Sequence, residues 1–158
     1  MAARDTEPDS ATAGTGTGAG IGGNAAPAPR TGPAVSSSCP CLSGLAYHEC
    51  CGRFHRGELP APTAEALMRS RYSAFAAGLA DYLLATWATE TRPAELELDP
   101  ARQWRRLDIL RTERGGPLDD VGVVAFRAHY RAGGERGVQE ETSRFRRSGG
   151  RWFYVDGT

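Results

Sequence analysis

"DVGVVAFRAHYRAGGERGVQEETSRFRRSGGRWFYVD", residues 120–156, alternates apolar and polar positions and is interrupted twice by a glycine pair, Gly133-Gly134 and Gly149-Gly150. Paired glycines between alternating segments are a two-residue hairpin signal, because the favoured turns need positive φ at both central positions. The stretch therefore reads as three antiparallel strands, at 120–131, 137–147 and 151–156. Counting outward from the turns pairs Phe126 with Glu141, Val124 with Ser143 and Arg127 with Glu140. From the second turn it pairs Phe145 with Tyr154, Ser143 with Asp156 and Arg147 with Trp152. Period-2 alternation then gathers Val124, Phe126, Tyr130, Phe145, Trp152 and Tyr154 on one face. Glu141, Ser143 and Asp156 share that face, and a carboxylate there needs a partner or a cavity.

Upstream, "QWRRLDILRT" (103–112) is a fourth strand, and before it the periodicity changes. Thr63 is placed to cap a helix over 64–77 and Gly78 to end it. Its stripe is Ala64, Leu67, Met68, Tyr72, Phe75 and Leu79, and a second helix follows over 79–87. Helices followed by an antiparallel meander make an α+β fold with the helices on one face of the sheet. Arg69 lies off the stripe, where Glu65 can pair with it in solvent. Arg71 lies within the stripe, which predicts an inward ion pair with Glu141. The competing reading is a polar-lined pocket or buried cluster formed by Arg71, Tyr72, Glu141, Ser143, Tyr154 and Asp156. His129 reads as a surface or packing residue.

The 19 basic residues balance 19 acidic ones, so phosphate neutralisation does not drive binding and nucleic acid is not an expected direct partner. Every basic residue is Arg, which excludes Schiff-base and Walker lysines. No nucleophile–base pair or phosphate loop is visible, so no catalytic residue is assigned. No stretch has the ~18 consecutive apolar residues of a membrane span, and "MAARDTEPDS" lacks a secretory h-region. The expectation is a cytoplasmic protein without membrane contact. Residues 1–38 are dominated by Ala, Gly, Thr, Pro and Ser and read as a disordered tail. Residues 39–56 form a cysteine-bearing knuckle. Residues 57–158 form the α+β domain, opening on a hinge at 57–62.

All four cysteines fall in "CPCLSGLAYHECC", as Cys39, Cys41, Cys50 and Cys51. Adjacent cysteines and a one-residue gap suit disulfides poorly. Four thiolates in a short loop suit one tetrahedral Zn²⁺. A thiol switch and an iron–sulfur site are the alternatives, and His48 or His55 is a candidate to replace Cys51 as a ligand. Four protein ligands leave no open position for catalysis, so a docking or purely structural role is expected. His48, Arg53, Phe54 and Arg56 beside the metal are the candidate docking residues.

Cys39-x-Cys41-x-Ser43-Gly44 followed by Cys50-Cys51 resembles the SEC-C motif, named from the SecA translocation motor. "LMRSRYSAF", "DYLLATW", "ETSRF" and "RWFYVDG" are similar to the YchJ family of uncharacterised bacterial proteins. The resemblance implies a zinc module joined to a nuclear-transport-factor-2-like domain, a cone of helices on a curved sheet. From SecA it implies docking on a protein or ribosomal partner; from related cone folds, a small-molecule ligand in the cone, where Glu141, Asp156 and Tyr154 are groups suited to acid–base chemistry if a cavity exposes them. Some family members carry a second such motif after the last strand. Here the sequence stops at Thr158, so functions needing two zinc modules are not expected.

Overall fold

The computed structural model describes residues 37–158, so the expected tail lies almost wholly outside the described residues. A 3-10 turn at Tyr47–Glu49 leads into helix α1 (Cys51–His55), then α2 (Ala64–Ala77) and α3 (Ala80–Ala85). Four strands follow: β1 (Gln103–Arg114), β2 (Val121–Ala132), β3 (Glu135–Ser148) and β4 (Arg151–Gly157). They form one antiparallel sheet in the order β1-β2-β3-β4. Among the described residues no helix is long and apolar enough to cross a membrane.

Helix α2 has the expected ends. Thr63 Oγ1 accepts from the Ala66 N–H at 3.0 Å, and Gly78 adopts φ 72°, from which the Leu79 N–H returns to the Ala74 carbonyl at 2.9 Å. Its first turn is fixed to the sheet, since the Ala64 N–H donates to the Gly115 carbonyl at 2.9 Å. That approach requires the glycines below it: a Cβ on Gly115 or Gly122 would lie 2.6 or 2.9 Å from the Ala64 methyl.

Both glycine pairs sit at positive φ, at 58° and 85° and at 56° and 76°, and set the hairpin registers. Phe126 faces Glu141, Val124 faces Ser143, Phe145 faces Tyr154 and Arg147 faces Trp152, as expected. Asp156 differs. A bulge between Arg144 and Phe145 shifts the pairing, so Asp156 faces Arg144 and Ser143 faces Gly157. The extra residue turns the Asp156 side chain to the outer face, where it pairs with Arg144. Two further irregularities interrupt β1, between Trp104 and Arg106 and between Ile109 and Arg111.

The cysteine segment is not an appendage. Cys39, Cys41 and Cys51 belong to the same buried cluster as Leu67, Met68, Tyr72, Val124, Phe126, Phe145 and Trp152. The segment at 57–62 is packed as well: Ala61 is buried, and the Trp152 indole donates to the Pro62 carbonyl at 3.2 Å.

Candidate metal centre and cavity

The knuckle is a small loop closed by its backbone. The Tyr47 N–H donates to the Ser37 carbonyl at 2.8 Å, Cys39 N–H to Leu45 O at 2.9 Å, and Leu42 N–H to Cys39 O at 3.0 Å. The reversal places Leu42 at φ 59°, in the sparsely populated left-handed region. It brings Cys39 and Cys41 over the start of α1, where Cys50 and Cys51 lie. The four Sγ atoms all fall within 4.8 Å of one another. Cys41 and Cys50 sulfurs are 3.6 Å apart, and those of Cys50 and Cys51 3.9 Å.

These distances test the fit to a metal. Sulfurs about 2.3 Å from a tetrahedral ion stand roughly 3.8 Å apart, and all four cysteines are free. Contacts with Cys39 and Cys41, together with burial, push the Cys51 thiol far above its usual range, and burial raises Cys50. The same sulfur contacts hold Cys39 far below its usual range. Four thiolates so crowded repel one another, and a cation among them is what lets all four lose their protons. The donor set fits a metal ion.

The surroundings are built from shared side chains. The Ser73 hydroxyl of α2 lies 3.7 Å from the Cys39 sulfur, and the Ser43 hydroxyl 3.2 Å from that of Cys50. Arg69 bonds Glu65 at 2.8 Å, as expected, and also donates to the Cys41 carbonyl at 3.3 Å. His55 is a clamp. Its Nε2 donates to the Ser70 carbonyl at 2.8 Å, so Nδ1 accepts from the Tyr47 hydroxyl at 2.7 Å. Burial lowers its pKa, favouring this neutral form. With both ring nitrogens engaged, His55 is not a spare ligand. Arg56 bonds Glu58 at 2.6 Å and the His48 carbonyl at 3.0 Å, and half-buried Phe54 packs on the core. Of the four candidate docking residues, Arg53 and Arg56 are exposed, while His48 and Phe54 are half-buried. Pattern reading missed Leu42 and Leu45, which are 56% and 52% exposed on the knuckle's outer loop.

The second site lies between α2 and the sheet. A cavity of about 260 Å³ is walled by Met68, Arg71, Tyr72, Phe75 and Trp104, with Phe126 and Ala128. Glu141, Ser143 and Tyr154 line it too, joined by Trp87, Arg102 and Gln139. Arg71 is 3% exposed. It does not form the expected ion pair with Glu141. Its Nη1 donates instead to the Leu83 carbonyl at 2.7 Å and the Thr86 hydroxyl at 2.8 Å, because the end of α3 brings those acceptors closer. Burial holds the guanidinium down to about 10, still charged at neutral pH. It lies over the Tyr154 ring at 4.5 Å and the Trp87 ring at 5.2 Å.

Glu141 is served from the sheet. Its Oε1 accepts from the Ser143 hydroxyl at 2.7 Å and the Tyr154 hydroxyl at 3.1 Å. Tyr154 is thus the intermediary, ring toward Arg71 and hydroxyl toward Glu141. Burial and the Glu141 charge raise its pKa, so it remains a donor. Tyr72, pushed up to about 12 by burial, completes the expected cluster. Asp156, on the outer face, does not join it.

The comparisons follow both parts of the chain. Residues 63–157 match the family model of the YchJ middle NTF2-like domain, and residues 36–53 match the SEC-C motif. A UPF0225 protein of Corynebacterium glutamicum is 59% identical over 123 residues, spanning 78% of this chain and 98% of its own. One of Streptomyces coelicolor is 54% identical over 119 residues, spanning 75% and 93%. The solution structure of a SEC-C motif containing protein from Rhodopseudomonas palustris superposes with a TM-score of 0.68 at 34% identity, over 76% of this chain and 96% of that one. A crystal structure from Psychrobacter arcticus, at 24% identity and a TM-score of 0.63 over 75% of this chain and 80% of that one, shares the fold.

Proposed function

The chain belongs to the YchJ family, a SEC-C motif ahead of an NTF2-like domain, and from that premise we propose a cytoplasmic protein that binds a small molecule in its cone, with a structural zinc in its knuckle. The observation that carries this reading is the cavity: open space where a helix-on-sheet fold usually packs side chains, edged by a buried cation and a carboxylate. Ligand sites have this make-up, an apolar wall with a few placed polar groups. Cys39, Cys41, Cys50 and Cys51 would hold the zinc. Four thiolates close its coordination, so its contribution is folding energy rather than a nucleophile. Incubation of the metal-loaded protein with a small-molecule extract, then gel filtration and mass spectrometry, tests the reading. The expected result is a retained compound that the cavity-filling Ala128→Phe protein, folded by circular dichroism, does not retain. Equal retention by both proteins overturns it.

A second reading, docking of the knuckle on a protein or ribosomal partner, is favoured by the exposure of Leu42 and Leu45 on the outer loop and of Arg53 on α1. Exposed apolar side chains grouped on one loop mark a contact surface, and Arg is a common anchor of such surfaces. Leu42→Ser with Leu45→Ser, in protein that keeps its metal, is expected to lose co-sedimentation with purified ribosomes or a purified partner. Unchanged sedimentation counts against docking through this loop.

A further inference from the structure

The cavity wall has more hydrogen-bond donors than acceptors. Trp87 Nε1 and Arg102 Nε are buried without an acceptor among the described residues. Among the described residues Arg71 commits only Nη1, which leaves Nε and Nη2 of a deeply buried guanidinium. The one carboxylate on the wall already receives three donors: Glu141 Oε1 accepts two hydroxyls, and its Oε2 accepts Gln139 Nε2 at 3.4 Å. Unsatisfied buried donors are costly and uncommon in native proteins. Two on the wall of one cavity, beside a guanidinium with uncommitted N–H groups, imply an acceptor that arrives with a ligand.

The charges point the same way. On the outer face, arginines have carboxylates: Arg106 with Asp108, Arg127 with Glu140, Arg144 with Asp156. Arg71 and Arg102, among the described residues, have none within ion-pair distance and lie over aromatic rings instead, Arg102 at 4.4 Å from the Tyr130 centroid. Two guanidinium groups against the one carboxyl of Glu141 leave room for a single negative charge, and Glu141 disfavours a second. The rest of the wall is aromatic and aliphatic: Tyr72, Phe75, Trp104, Phe126 and Met68. The volume, about 260 Å³, is just under the ~300 Å³ lower end of typical drug-sized sites.

Resting on the reading of this cavity as a ligand site, we infer that it takes a small monocarboxylic acid with an apolar, ring-sized body, whose carboxylate is received by Arg71, Arg102 and the Trp87 indole N–H. A planar guanidinium receives a carboxylate in its own plane, and charge-assisted bonds of this kind are about twice as strong as neutral ones.

The test uses phenylacetate, its neutral amide phenylacetamide and toluene, titrated into the metal-loaded full chain. Nuclear magnetic resonance follows the three indole N–H signals, that of Trp87 being assigned with Trp87→Phe. Phenylacetate is expected to bind at least about tenfold tighter than the amide and to move the Trp87 N–H signal downfield. Arg102→Gln, at the half-buried rim, should remove most of that preference without weakening the amide. Glu141→Gln should tighten the anion. An amide that binds as well as the acid, or an acid weakened by Glu141→Gln, overturns the anionic class and leaves the cavity reading intact. Absence of any cavity response to all three probes overturns both.

Discussion

The metal centre and the cavity stand against different faces of α2 and treat their polar groups in opposite ways. Toward the knuckle, Arg69, Ser70 and Ser73 each have a partner: Cys41 O, the His55 ring and the Cys39 sulfur. The network extends outward through Tyr47 and through Tyr82, whose hydroxyl lies 2.7 Å from Ser70 Oγ. Toward the cavity, Arg71 is half-used and Trp87 and Arg102 carry stranded N–H groups. One side is closed, as a structural element is; the other is open, as a receiving site is. Burial alone does not separate them, since both are deep. What separates them is whether hydrogen-bonding capacity is exhausted.

Removing a thiol should strain this contrast most. Cys51→Ser is expected to abolish stoichiometric metal and to cost much of the ~10–16 kcal/mol that a structural site contributes. Because Cys51 shares a core with α2 and the sheet, the whole domain should lose its cooperative melt. Metal content and thermal denaturation check it, and a Cys51→Ser protein that melts like wild type would mean that the knuckle is separable after all. On the cavity side, Glu141→Leu leaves the Ser143 and Tyr154 hydroxyls without an acceptor. It should destabilise by about 2–4 kcal/mol in urea denaturation, an upper bound for a site less tightly knit than the knuckle.

His55→Phe should cost about 1–3 kcal/mol by leaving the Tyr47 hydroxyl without its acceptor and removing the added bond to the Ser70 carbonyl. The native fold holds the His55 pKa below its unfolded value. The stability that its neutral ring provides is therefore complete above the ordinary histidine range near 6.5 and declines as pH falls toward the folded pKa. A ring titration by nuclear magnetic resonance should give a midpoint below 6.5, and a midpoint above it would contradict the clamp. Smallest of all, Arg127→Ala on the outer face should change stability by less than about 1 kcal/mol, because its pair with Glu140 is solvent-exposed. A larger loss would show that the outer face is also a tied network.

Strand positions and most registers were legible because two glycine pairs and a period-2 pattern are local signals. The four sulfurs were legible for the same reason, being crowded along the chain before they are crowded in space. The bulge at Arg144–Phe145 has no compositional mark, so Asp156 was expected one step from where it lies. Arg71 was correctly placed on the inward face, but its partner was not. Sequence proximity cannot rank Leu83 O and Thr86 Oγ1 above a carboxylate on a distant strand. Trp87, Arg102 and Gln139 come to the cavity from a loop, a strand approach and the inner face of β3. Only tertiary packing brings them together.

Because one helix forms a wall of both sites, any effect that an occupant of one would have on the other would be reciprocal. Ser70 and Ser73 interleave along α2 with Arg71 and Tyr72, so a rigid turn of the helix that reseats one set displaces the other. Whatever factor a cavity ligand applies to metal affinity, the metal must return to the ligand in full.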